Sequence, residues 1–303
     1  MKAVNILLIS ILLVVLTVGV SFARNQNSML RNGLKYTIET ENSFFYGEPV
    51  CVRLIVTNVS NENKEVVDLR SALTAVDIRG LDFELNYPLL MPIPPDESSV
   101  RKVILKPDEF RSCDYQVFPP IENYDYGFPA GRYELVFSSL KLPITALDDK
   151  NEREAVKYLN MLFQDLYHPA YNKNFDVTYS NYTKIKSLTK REDMLAAAEF
   201  YFARLKDDKK FGNIDFEKYK IKKETPEERF KNFAEKYDDV IYYSEQARVL
   251  RLKYSVHMDE SYFRSVLENT NVYNADVTDA VEYAEKEIKK RKQKALEEEN
   301  NTK

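Results

Sequence analysis

The sequence predicts a multidomain all-β plus all-α chain, an antiparallel β-sandwich followed by α-helical hairpins. Three observations predict it. Before residue 148 apolar residues recur at every second position in short runs; after it they recur at three and four, with charged stretches between. Pro88, Pro92, Pro94, Pro95, Pro107, Pro119, Pro120 and Pro129 fall between the alternating runs, where a missing amide donor is harmless. Helix-start signals gather after the change.

In chain order, residues 1–23 come first. Met1 and Lys2 precede an apolar run over 4–20, and Ser21-Phe22-Ala23 puts small residues at the two positions a signal peptidase reads, so Ala23-Arg24 reads as a cleavage site. The expectation is an exported protein, periplasmic or extracellular, with no membrane insertion after signal cleavage. The alternative is an uncleaved anchor, since such a run can cross a hydrocarbon core of about 30 Å. Removing the leader leaves about 280 residues, enough for one large or two ordinary domains.

Residues 24–147 form the expected sandwich. Strands are predicted at about 34–40, 50–58, 65–69, 81–86, 100–105, 114–118 and 132–137. Gly47-Glu48-Pro49 turns the chain into the second, and Pro129-Ala130-Gly131 into the last. Alternation puts Cys51 with Arg53 on one face of its strand, away from the valines, and Cys113 on the apolar face with Tyr115 and Val117. One thiol points out and the other in, which argues against a disulfide although export would permit one.

Residues 148–303 form the expected helical domain. Asp149 caps a helix with Ala155, Tyr158, Leu159, Leu162, Phe163 and Leu166 on its apolar face, and Thr189 with Glu192 reads as a capping box. Thr225-Pro226-Glu227-Glu228 is the strongest helix start: N-cap hydroxyl, proline at the first helical position, carboxylate at the third. Phe230, Phe233, Ala234 and Tyr237 follow as one stripe, Asp238-Asp239 makes a turn, and 243–252 packs back. Two further helices are predicted over 260–269 and 279–299.

Two segments carry resemblances. Tyr46-Gly47-Glu48-Pro49-Val50, leading into Leu54-Ile55-Val56-Thr57-Asn58, resembles the second-strand segment of immunoglobulin-like domains in bacterial exported proteins, and Pro129 to Leu135 resembles their final strand. Such folds host many unrelated roles. Phe230 to Asp239, followed by Tyr242-Tyr243-Ser244-Glu245-Gln246-Ala247, resembles a divergent tetratricopeptide-type helix pair of bacterial envelope proteins. Asp238 replaces the usual proline, Ala234 stands where glycine is typical, and no second copy recurs. The Thr57-Asn58-Val59-Ser60 turn and the approach from Pro129 to Tyr133 are also similar to a family of bacterial proteinase inhibitors with a related sandwich.

The chemistry-bearing residues are sparse. His168 and His257 have no Cys, His or acidic neighbour at metal-ligand spacing, so no metal is expected. No Gly-x-Ser-x-Gly turn presents a nucleophile, Cys51 lies mid-strand, and seven glycines leave no Gly-rich phosphate cradle. No enzyme activity and no cofactor are therefore expected. The net charge of −4 and the acids flanking Lys289-Lys290-Arg291-Lys292 argue against nucleic acid. The loop 122–128 is the candidate partner-binding site: Tyr124, Asp125, Tyr126 and Phe128 join aromatic area to acceptors at one end of the sandwich. The alternative is that Tyr124 and Phe128 tuck under the helices. The expected function is a non-enzymatic interaction or scaffold protein with protein partners in a bacterial cell envelope. The alternatives are an inhibitor-like module using the sandwich loops, and a carbohydrate-active enzyme for which no motif speaks.

Overall fold

The computed structural model describes residues 24–41, 43–45, 47–69, 76–82, 101–117, 129–137, 139–167, 174–206, 208, 211, 214–258, 260–268, 270 and 274–301. The leader 1–23, the loop residues Tyr124, Asp125, Tyr126 and Phe128, and His168 lie outside the described residues.

A β part precedes a helical part. The strands are β1 (Asn25–Arg31), β2 (Leu34–Thr40), β3 (Ser43–Phe45), β4 (Val50–Asn58), β5 (Lys64–Val67), β6 (Val76–Gly80), β7 (Lys102–Leu105), β8 (Phe110–Val117), β9 (Gly131–Phe137) and β10 (Leu140–Leu147). One four-stranded sheet has the order β1-β2-β4-β8 and a second the order β3-β10-β9-β6, with β5 and β7 as a separate ribbon. Residues of both four-stranded sheets meet in one apolar cluster. Ile38, Val52, Leu54, Val56, Cys113 and Tyr115 come from the first, and Phe44, Ile78, Tyr133, Leu135, Leu142 and Ile144 from the second. The alternation along β4 drives this, because period 2 sends every second side chain to the same face.

The arrangement corrects several expectations. Pairing is not wholly antiparallel: β3 runs parallel to β10. Of the strand expected over 81–86, Leu81 and Asp82 form a bend after β6, and 83–86 lie outside the described residues. Besides β6, three described strands escape the sequence reading. β1 pairs with β2 through Asn32-Gly33, both at positive φ, the dipeptide that suits a two-residue hairpin. β3 is only three residues long. β10 carries Pro143, whose pairing is with Glu134 of β9, while β3 joins β10 only from Thr145 onward. On that open stretch the Asn25 amide donates to the Pro143 carbonyl, and Asn27 Nδ2 donates to the Lys141 carbonyl at 2.8 Å. Side chains of β1 thus serve β10 where backbone pairing is missing.

The described helices are α1 (Lys150–Tyr167), α2 (Phe175–Leu188), α3 (Glu192–Leu205), α4 (Pro226–Lys236), α5 (Tyr243–Ser255), α6 (Glu260–Glu268) and α7 (Ala275–Asn301). Asp149 starts α1 by accepting from the amides of Asn151 and Glu152 at 2.9 and 3.1 Å. At α4 the Thr225 hydroxyl accepts from the Glu228 amide at 3.2 Å, and the Glu228 carboxylate accepts from the Thr225 amide at 3.0 Å. Phe230, Phe233, Ala234 and Tyr237 are all buried, so the stripe is core. Thr189 does not cap α3. Its amide closes the end of α2 on the Ile185 carbonyl, and its hydroxyl donates to Glu152 at 2.8 Å. Among the described residues no helix is long and apolar enough to cross a membrane.

Candidate functional site

Two features of the described residues combine charge, aromatic area and defined geometry. The first is the junction between the β part and the helices. The face of β4 and β8 that carries Cys51, Arg53, Asp114 and Gln116 is covered by helical residues, which is why Ser112, Cys113, Asp114 and Tyr115 are buried in succession. Arg53 donates to both oxygens of Asp114, Nε at 2.7 Å and a terminal nitrogen at 2.8 Å, and Asp114 also accepts from the Tyr242 amide at 3.0 Å. Tyr242 holds φ 71° and ψ −62°, a conformation costly for a residue with a side chain. Its amide bond to Asp114 ties that turn to the sheet. Gln116 Nε2 donates to the hydroxyls of Tyr201 and Tyr243 at 2.9 and 2.7 Å.

At the other end of the junction Arg191 donates to both oxygens of Glu48 at 2.7 and 3.0 Å, and its guanidinium lies 4.5 Å from the centre of the Phe45 ring. Glu48 accepts from the Phe45 amide as well, at 2.9 Å. Burial outweighs Arg191 and pushes Glu48 up to about 7. Burial also pushes Glu41 and Glu245 upward, and raises the Cys51 thiol well above its ordinary range. A thiol so placed is a poor nucleophile.

The second feature is a groove of about 320 Å³ on the helical part, walled by α2, α3, α4 and the segment 219–224. Tyr182 of α2 stacks on Phe202 of α3, with ring centres 4.2 Å apart. Tyr179 donates its hydroxyl to the Tyr219 carbonyl at 3.0 Å, pinning the 219–224 segment. Lysine ammonium groups lie over the rings: Lys186 over Tyr182 at 5.3 Å and Lys206 over Phe202 at 5.5 Å. Arg229 is committed to structure and donates to the Ala203 carbonyl at 2.8 Å. Five basic and two acidic side chains line the groove, so its field is positive although the whole chain is slightly acidic.

Sequence reasoning missed this groove because α2 itself is hard to see. Its buried positions include Thr178 and Asn181, and Thr178 donates to Asp165 of α1 at 2.8 Å, so no apolar period marks the helix. The Lys218-Tyr219 and Lys236-Tyr237 dipeptides are visible in the chain, but not what faces them.

The other sequence candidates have structural employment. Cys51 and Cys113 are not joined in a disulfide, one packed on the helical cluster and the other in the sheet core. His257 Nδ1 lies 2.7 Å from Arg291, which also donates to the Val256 carbonyl, and Lys292 pairs with Glu260 at 2.5 Å, so part of the basic run fastens α7. Among the described residues no group of three or more His, Cys, Asp or Glu could hold a metal ion. Asn58 anchors its turn from within, its amide donating to the carbonyls of Glu62 and Leu105 at 2.7 and 2.9 Å. In comparisons with known proteins, no family model and no curated protein matches this sequence.

Proposed function

We propose that this chain is an exported, non-enzymatic interaction or scaffold protein of a bacterial cell envelope, with an immunoglobulin-like sandwich over 24–147 and divergent tetratricopeptide-like hairpins over 148–303. The leader motif at residues 1–23 supports export. Two sheets around one core, followed by paired helices, are in keeping with the fold. The observation that carries the reading is the groove, where rings and ammonium groups sit on helices braced against the sheet by the buried Arg191–Glu48 pair and by the Tyr242 amide on Asp114. Such a surface suits a protein partner, since tyrosine rings supply contact area and lysine ammonium groups steer an acidic partner.

The test uses the protein in its native host. Mature protein should begin at Arg24 and fractionate with the envelope, and chemical crosslinking there should trap a defined partner at a fixed stoichiometry. Protein that remains in the cytoplasm, or an envelope protein that crosslinks to nothing, would overturn the proposal.

A further inference from the structure

The geometry points to an acidic peptide segment as the occupant of the groove between α2, α3 and α4, its carboxylates pinched between lysine ammonium and tyrosine hydroxyl groups. This rests on the proposal that the chain works through protein contacts.

The chain displays the binding mode on its own side chains, twice. On the groove wall the Glu199 carboxylate accepts from Lys236 Nζ at 2.6 Å and from the Tyr237 hydroxyl at 2.9 Å. Next to the groove the Asp176 carboxylate accepts from Lys218 Nζ at 2.6 Å and from the Tyr219 hydroxyl at 2.7 Å. Both are charge-assisted pairs of donors on one anion. Lys186 and Tyr182, four apart on α2, bring the same two groups to the groove, with Lys206 and Lys220 on the same lining. No carboxylate of the described residues occupies that third pair.

Ring geometry favours a peptide over an acidic glycan. A sugar needs an open ring face to lie on, whereas Tyr182 has one face on Phe202 and the Lys186 ammonium over its ring. Around Tyr182 the exposed chemistry is therefore ammonium groups and a ring edge, which suit carboxylate and phenyl side chains on an extended backbone. At about 320 Å³ the groove has room for a few side chains, not a folded domain.

The experiment titrates the purified full-length mature protein into a fluorescein-labelled peptide, Glu-Asp-Phe-Glu-Asp-Glu, and into its Gln/Asn counterpart, following anisotropy at low and high salt. The acidic peptide should bind, salt should weaken it, and the neutral peptide should not bind. Lys186→Glu with Lys206→Glu should weaken binding about tenfold, the size expected on losing two part-exposed ion pairs. Tyr182→Phe should weaken it severalfold with unchanged melting, and Lys289→Glu, at an exposed position of α7, should change nothing. Equal binding of the neutral peptide, no binding of the acidic one, insensitivity to the double reversal, or stronger binding of polygalacturonate would each overturn the assignment. Because crosslinking in the host is independent of this titration, a trapped partner with no peptide binding would sink the groove assignment and leave the scaffold reading standing.

Discussion

Asp114 does three things with two oxygens: it takes both donors of Arg53 and the amide of Tyr242. Its side chain is wholly buried and that of Arg53 mostly so, so Asp114 cannot turn to water if Arg53 is lost. Asp114→Ala should cost about 3 kcal/mol in denaturant unfolding, because it leaves the mostly buried Arg53 with Glu245 alone, 4.0 Å away, and frees the strained turn at Tyr242. Replacing both partners, Arg53→Met with Asp114→Leu, should cost much less than the sum of the single changes, the signature of a coupled pair in a double-mutant cycle. Thr225 sits at the gentler end. Thr225→Ala removes an exposed cap and should cost about 1 kcal/mol in the same measurement. Phe233 lies between Phe200 and Tyr237, with ring centres 5.7 and 4.9 Å away, and Phe233→Ala should cost about 3 to 5 kcal/mol.

Among the elements, β8 and the short strand β3 take the most load from the helices. β3 leads into Glu48, where the Arg191 pair meets a carboxyl that burial has raised. A carboxyl that holds its proton more tightly in the folded chain contributes stability that is complete below its ordinary value of 4.5 and is lost as pH rises through about 7. Glu41 and Glu245 act in the same direction, each raised by burial, and each has one buried oxygen without a hydrogen-bond partner. The melting temperature should therefore fall as pH is raised from about 5 to about 8.5. In Glu48→Gln the slope through neutral pH should flatten, since the amide cannot ionise yet can still accept from the Phe45 amide. A melting temperature that rises over that interval would show that Arg191 outweighs burial at Glu48.

For the whole molecule, the junction makes the β part and the helices mutually dependent. Besides the Arg191–Glu48 pair and the Tyr242–Asp114 bond, α7 meets the sheet. Asn274 bridges to Ser112, Arg111 donates to the Thr278 hydroxyl at 2.8 Å, and Arg101 pairs with Asp279 and Glu282 at 3.2 and 2.6 Å. Ala275 at the start of α7 is packed in the sheet core itself. Thermal unfolding should then be one transition, with β and α circular dichroism signals lost together. A fragment of residues 24–147 should keep a β-type spectrum and one of residues 148–303 an α-type spectrum. Each should melt below the full chain, because separation exposes the Arg53, Asp114 and Gln116 face to water. Two well-separated transitions in the intact chain would show that the junction couples nothing.

The sequence by itself determined the succession of β and α structure, the β2 and β4 strands, the Thr225 cap and the buried stripe of α4, because each follows from local periodicity or from partners three residues apart. It also separated the two cysteines by face, since alternation along a strand is a local rule. Asn32-Gly33 is a local hairpin signal, yet β1 escapes the sequence reading and emerges only with the structure. Only the tertiary structure decided that Thr189 closes α2, that α2 is a helix with a buried threonine, and that β10 tolerates Pro143. It alone decided that the outward face of β4 and β8 is a covered junction, and that Tyr182, Phe202 and Lys186 share a groove. The reason is common to all of these. A polar side chain is buried, raised in pKa or left at a surface by what arrives from far along the chain, and no local pattern records the partner of Asp114 or of Glu48.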